Sequence, residues 1–234
     1  MCSIIGANTL SKLEVLYEAN VERGTFASSV LGLYNYDKQY VHKQEGIIEF
    51  NKIKIDDSFD FFISHMQAPT SSKRNWSQDT SHPFESLNWM VLHNGVLTNW
   101  KSLNKEYTPW NVNPVDTSVI ASMLQEFSTG DTEDGKSPPP IDVVTKVLEL
   151  LEGTFALCIV NTSTNTVYLA RQGSLLHYHS SGSFSTLPGK DYKLLEEGEI
   201  LMIENYDPWI AVGENYDMWK SVGKFKTKSP FLFV

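Results

Sequence analysis

The chain has 234 residues, 41% of them hydrophobic and 20% charged, an ordinary balance for a globular protein that can bury a sizeable core in one domain or two small ones. A formal charge of −9 with no basic stripe before the last residues speaks against nucleic-acid binding, and the longest apolar run, residues 155–160, is far too short to span a membrane. Two cysteines, one near the terminus, supply neither a disulfide framework nor a metal set, so the sequence predicts no signal peptide, no metal, no cofactor and a reducing cytoplasmic location.

From the amino end, Met1-Cys2-Ser3-Ile4-Ile5-Gly6 places a thiol directly behind the initiator Met. Removal of Met1 would leave Cys2 with a thiol and a free α-amine on neighbouring atoms. Their ordinary pKa values, about 8.5 and about 7.7–8.0, let a proton pass between them at neutral pH. An N-terminal Cys, Ser or Thr of this kind can act as a nucleophile with its own amine as base, although Met-Cys also occurs by chance. Ile4-Ile5 reads as a buried strand that would hold the terminus in place. Residues 11–23 read as a helix, with Ser11 as N-cap, Glu14 three residues on, Leu13, Leu16 and Tyr17 on one face, and Gly24 at its end. Residues 26–36 and 40–45 look like a strand pair, and 60–68 like a further strand. The polar stretch 69–82, with Thr70-Ser71-Ser72-Lys73-Arg74-Asn75, is either a solvated connection or a binding loop. Only Arg23, Arg74 and Arg171 offer a planar fork for a carboxylate.

Residues 89–97 form an apolar strand interrupted by His93-Asn94-Gly95, and a polar triplet in such a run is costly without a task. Gly95 would let a ligand approach the backbone N–H and Asn94 would add a side-chain donor, a pair that suits an oxyanion. A plain Asn-Gly turn fits the same residues. Asp116 opens an amphipathic helix, 116–127, either as its N-cap or as a carboxylate that meets an ammonium group. Past an acidic loop at 128–140, residues 141–151 make the next helix. Residues 154–161, 166–171, 175–179, 184–187 and 199–204 read as strands, the first apolar on both faces with Cys158 in the core. His177 and His179 would alternate to one face, but nothing completes a metal set. Strands, two helices, then strands covered on both faces predict an α+β protein built as a four-layer αββα sandwich.

Cys2 with Ile5-Gly6, Arg23-Gly24, His65-Met66-Gln67-Ala68-Pro69-Thr70, His82-Pro83-Phe84, His93-Asn94-Gly95 and Asp116-Thr117 resemble, in order and approximate spacing, the motifs of the class II glutamine amidotransferases, which are N-terminal nucleophile hydrolases. The resemblance covers residues 2–205 or so, a glutaminase domain at 1–205, and leaves 206–234 as an aromatic, lysine-bearing tail, either packed on the domain or used to dock a partner. It implies that Cys2 attacks the side-chain amide of glutamine while its α-amine moves the protons. Asn94 and the Gly95 N–H would hold the oxyanion, Asp116 the α-ammonium, Thr70 the α-carboxylate, and Arg23 would brace the loop of the nucleophile. Glutamate and ammonia would form through a glutamyl thioester.

Relatives commonly carry Arg where this chain has Gln67, and that Arg pairs with the α-carboxylate. Either Lys73 or Arg74 takes over here, or affinity is low, or the substrate is not free glutamine. No synthase segment follows residue 205 in this sequence, so the expectation is a separate ammonia-accepting synthase. Two other readings stay open: an amidase for a γ-glutamyl or other amide, and a weakly active regulatory subunit that binds glutamine. Cys2, Asn94, Gly95 and Asp116 together speak against the last, since a pure binder needs no nucleophile.

Overall fold

The computed structural model describes residues 2–34, 39–68, 75–129, 137–204 and 217–227. In chain order its elements are β1 (Ser3–Ala7), α1 (Leu10–Asn20), β2 (Ala27–Leu33), β3 (Gln39–Glu45), β4 (Phe61–Gln67), β5 (Phe84–Ser86), β6 (Trp89–Leu97), α2 (Trp100–Tyr107), α3 (Asp116–Thr129), α4 (Pro140–Leu150), β7 (Gly153–Asn161), β8 (Thr166–Gln172), β9 (His177–Tyr178), β10 (Phe184–Ser185), β11 (Lys193–Leu194), β12 (Glu199–Glu204) and β13 (Lys220–Lys224). They form two antiparallel sheets, ordered β11-β9-β10-β1-β4-β2-β3 and β13-β12-β8-β7-β6-β5.

Strand periodicity sorts the apolar residues into three cores. Ile4, Leu31, Ile63, Leu92, Ala156, Cys158 and Val160 meet between the sheets. Ile5, Val30, Phe62 and Met66 point the other way, onto Leu13 and Tyr17 of α1. On the far side Phe155, Leu157 and Ile159 pack against Val119, Ile120, Met123, Val144 and Val147 of α3 and α4. The layers are therefore helix, sheet, sheet, helices, the αββα sandwich. The run at 155–160 is apolar throughout because β7 has a core on each face, and that burial pushes the Cys158 thiol pKa up.

Several local expectations need correction. The first helix begins at Leu10 and its N-cap is Thr9, in an extended conformation, whose hydroxyl accepts from Lys12 N; Ser11 lies inside the first turn. A short 3-10 turn at Val21–Arg23 follows, and Gly24 is there for space, since a Cβ would sit 2.5 Å from Met66 O. Asp116 is the first helical residue of α3. β9 stops at Tyr178, so His179 leaves the strand and its Nδ1 lies 2.8 Å from Ser181 Oγ. α2, which the sequence reading did not assign, is short and mostly polar, with Leu103 buried and Trp100 and Tyr107 packed beside it on the same core.

β13 pairs with β12 at the sheet edge, Trp219 enters the inter-sheet core and Phe225 stacks on Phe155 with ring centroids 5.9 Å apart. No helix among the described residues is long and apolar enough to cross a membrane.

Candidate active site

Cys2 sits just before β1 and in phase with Ile4, so its side chain belongs to the layer between the sheets. The Ala68 N–H, at the end of β4, donates to Cys2 Sγ over 3.4 Å, and Arg23 Nε donates to the Cys2 carbonyl over 3.3 Å. A backbone N–H aimed at the sulfur stabilises negative charge there. The start of β1 is pinned from its other face. Ser3 Oγ donates to Asn20 Oδ1 and lies beside Thr186 Oγ1, while Asn20 Nδ2 donates to Leu16 O and Ser185 Oγ. This buried polar cluster holds the chain end that carries the thiol. Met1 lies outside the described residues.

β1 packs against β6 of the opposite sheet. His93-Asn94-Gly95 is no turn: the three residues pair in register with Leu157, Ala156 and Phe155 of β7. Leu92 belongs to the inter-sheet core, so Asn94 and Val96 share its face. Exposure rises from 9% at Asn94 to 62% at Val96, which places Asn94 where the layer opens to solvent. Gly95 has φ +155°, and a Cβ there would lie 2.0 Å from Thr154 O, so only glycine fits. Asp116 closes the far end of the segment, with Oδ2 accepting from Leu97 N at 3.0 Å and Oδ1 from Thr117 N at 2.8 Å.

Gln67 is 3% exposed, shares the inter-sheet face with His65 two residues earlier, and its Oε1 has no hydrogen-bond partner among the described residues. Thr70, Lys73 and Arg74 lie outside the described residues. A cavity of about 830 Å³ opens between the edge strands β3 and β5, walled by Lys43, Asp79, Glu85 and Asn113; none of the candidate site residues among the described residues lines it.

Three buried histidines join the two sheets behind these groups. His65 Nε2 lies 3.1 Å from His93 O, and the His65 and His82 rings stack at 3.9 Å. His82 Nε2 and His93 Nδ1 each lie 3.1 Å from Thr117 Oγ1. Burial lowers the His65 pKa to about 3, and burial also lowers that of His93 against the pull of Asp116. Both rings are neutral in the folded state, whereas the unfolded chain takes up their protons as pH falls below about 6.5. The His65 contribution is therefore complete above that pH and declines toward its folded value by about 1.4 kcal/mol per pH unit, and His93 adds a loss of the same sign. Urea unfolding at pH 7.5 and 5.5 is expected to show this loss, with a shallower pH slope in His65→Gln. An unchanged slope in that variant would remove His65 from the account.

No protein-family model matches the chain. Among curated proteins it is similar to glutamine–fructose-6-phosphate aminotransferase [isomerizing] of Listeria innocua, 27% identical over 205 residues that cover 84% of this chain and 33% of the relative. The Staphylococcus aureus protein of the same name is 27% identical over 224 residues, covering 87% and 36%. The chain thus spans about a third of the length of these relatives. Among solved structures, the B. subtilis glutamine phosphoribosylpyrophosphate amidotransferase superposes with TM-score 0.72 at 18% identity, over 95% of this chain and 49% of that one. A predicted glutamine amidotransferase of Pseudomonas aeruginosa gives 0.53 at 12% identity, over 88% and 94%. In sequence and in fold the chain is thus similar to the glutaminase-type domains of the class II glutamine amidotransferases.

Of the motif residues that the structure describes, Cys2, Gln67-Ala68 and Asn94-Gly95 lie at or near the ends of β1, β4 and β6, while Ile5 packs against α1 and Asp116-Thr117 open α3. Left unassigned by sequence reasoning were the Ala68 N–H, the Ser3–Asn20–Thr186 brace and the hydrogen bonds among His65, His82, His93 and Thr117. The signal was available in part, since His65, His93 and Thr117, polar residues inside otherwise apolar or amphipathic elements, need partners.

Proposed function

We propose that this domain hydrolyses the side-chain amide of glutamine. Cys2 Sγ attacks the amide carbon, the C–N bond breaks, ammonia leaves with the proton relayed by the Cys2 α-amine, and water then opens the glutamyl thioester to glutamate and free thiol. What supports this reading is the Ala68 N–H that donates to Cys2 Sγ on one sheet, together with the packing of β1 against β6, the strand of the other sheet that carries Asn94 and Gly95. Asn94 and the Gly95 N–H are the oxyanion donors, Asp116 takes the α-ammonium, and Arg23 holds the Cys2 carbonyl. Thr70 and Arg74 are assigned to the α-carboxylate from the motif alone. The proposed acceptor of the ammonia is a separate synthase, the proposed setting is the cytoplasm, and residues 206–234 are assigned to the same domain as a packed tail.

Ammonia release from glutamine, with intact-mass trapping of a glutamyl adduct on Cys2, tests the reading. No release from glutamine and no adduct would overturn it. A second reading, an amidase for a γ-glutamyl or other amide, draws on one observation: Gln67, neutral and with an orphan acceptor, stands where relatives place a cation. A charge-assisted hydrogen bond contributes about 1.5–3 kcal/mol, so Gln67→Arg is expected to lower KM for glutamine by about 10-fold or more, with kcat little changed. Unchanged KM, together with faster turnover of a γ-glutamyl amide than of glutamine by the wild type, would favour the second reading.

A further inference from the structure

The Asn94–Gly95 donors are gripped from both sides. Downstream, Asp116 Oδ2 holds Leu97 N; upstream, His93 is held through its carbonyl by His65 and through its ring by Thr117 and Thr154. The acceptors in this arrangement dictate where the protons are. A carbonyl only accepts, so His65 Nε2 carries a proton toward His93 O, and His93 Nε2, 3.4 Å from Thr154 O, carries one as well. A neutral His93 then has a bare Nδ1, and the neighbour that can donate to it is the Thr117 hydroxyl, 3.1 Å away and so nearer than the hydroxyl's other acceptor, Asp116 Oδ1 at 3.3 Å. Having given its one proton, Thr117 Oγ1 can only accept from His82, so His82 Nε2 carries a proton too.

On the glutaminase reading above, we propose that Thr117 is a positioning residue: its single hydroxyl proton fixes the tautomer of His93, and the His93 ring and carbonyl fix the aim of the Asn94 and Gly95 donors at the reacting amide. The same proton placement protects Asp116. His93 Nδ1 lies 3.9 Å from Asp116 Oδ2, and because it presents a lone pair there, the carboxylate is left to the Leu97 and Thr117 N–H groups and to the ammonium of the substrate. Thr117 itself, 1% exposed at the start of α3, touches no substrate. Its role is exerted through the strand.

The test combines steady-state ammonia release by wild type, Thr117→Val and Thr117→Ser with imidazole 15N spectra of each, assigned by single His→Gln substitutions. Valine keeps the shape and deletes the hydroxyl, so kcat is expected to fall by about 10–30-fold with KM within about threefold, the mark of a displaced transition-state donor. Serine restores the proton and is expected to return kcat to within about threefold of wild type. The wild-type spectrum should show neutral His65 and His93 protonated at Nε2, and Thr117→Val should move His93 toward the Nδ1–H form. A His93 that is charged or Nδ1-protonated in the wild type overturns the proposal, and that measurement decides even where the valine variant fails to fold. A folded Thr117→Val with wild-type kcat, or a serine variant as impaired as the valine one, overturns it as well. A wild type that releases no ammonia overturns the glutaminase reading and the positioning role with it, whereas a wrong tautomer overturns the positioning role alone.

Discussion

Cys2→Ala is expected to lower ammonia release by at least about 10,000-fold, the scale on which deleting a nucleophile removes covalent catalysis, while leaving the fold in place. The two halves of that expectation have separate causes. Sγ is the attacking atom, and the other thiol in the layer, Cys158, is fully buried with its pKa pushed up by that burial, so it does not replace it. In the fold, by contrast, the thiol accepts from the Ala68 N–H over a long 3.4 Å, and the residue is only half-buried. The terminus is held instead by Arg23 on the Cys2 carbonyl and by Ser3, Asn20 and Thr186. A loss of a polar contact at such a site is within about 0.5–1 kcal/mol, a Tm shift of a few degrees at most. The checks are glutamine turnover, Tm, and intact mass after incubation with substrate, where the wild type gains a glutamyl adduct and the variant does not. Residual turnover above about 1% in the purified variant would show that another group attacks. Retaining Met1 is expected to be nearly as damaging, because the amine that serves as base would then be a peptide N–H.

How much of this was legible in the sequence depends on the range of the interaction concerned. Alternation of apolar residues is local, and it gave the strands and the two-sided burial of β7 from residues 155–160 without help. The four-layer order followed because two apolar faces on one strand demand a cover on each. The end of α1 was misread by two residues at its N-cap because Thr9 and Ser11 are chemically equivalent caps, and only the extended backbone at Thr9 decides between them. α2 escaped although Trp100, Leu103 and Tyr107 recur at helical spacing and pack on one core, because the signal spans only eight residues and buries one of them fully.

In the site, Cys2, Asn94, Gly95 and Asp116 could be named from residue chemistry and family motif. The rank of Asn94-Gly95 between turn and strand could not. That choice is made by pairing with β7, some sixty residues further along the chain, and no local propensity reports it. The histidine cluster is of the same kind. His65, His82, His93 and Thr117 come from two strands, a loop and a helix, and each looks unremarkable until its partner is known.

Asn94→Ala and Gly95→Ala, adjacent changes at the same proposed oxyanion site, are expected to fail differently. Asn94 is a side-chain donor at the mouth of the layer, and its backbone pairing with Ala156 survives truncation. Losing one oxyanion donor acts on charge that develops only in the transition state, so kcat is expected to fall about 100–1,000-fold with KM nearly unchanged and Tm within a few degrees of wild type. Gly95 contributes a backbone N–H, which alanine keeps, yet the added Cβ would lie 2.0 Å from Thr154 O, 2.7 Å from Thr154 C and 2.8 Å from His93 Nε2. Two of those atoms belong to the backbone of β7 and cannot swing away. The strand pair must part locally, which displaces Asn94, the Gly95 N–H and the His93 ring together. Overpacking and backbone strain of this kind cost about 2–3 kcal/mol, so Gly95→Ala is expected to lose activity at least as fully as Asn94→Ala and to lower Tm by several degrees besides. Measuring kcat, KM and Tm for both variants separates the cases. Equal Tm for the two would mean that β6 and β7 are not as closely apposed at Gly95 as described, and a rise in KM alone for Asn94→Ala would reassign its side chain from the oxyanion to ground-state binding.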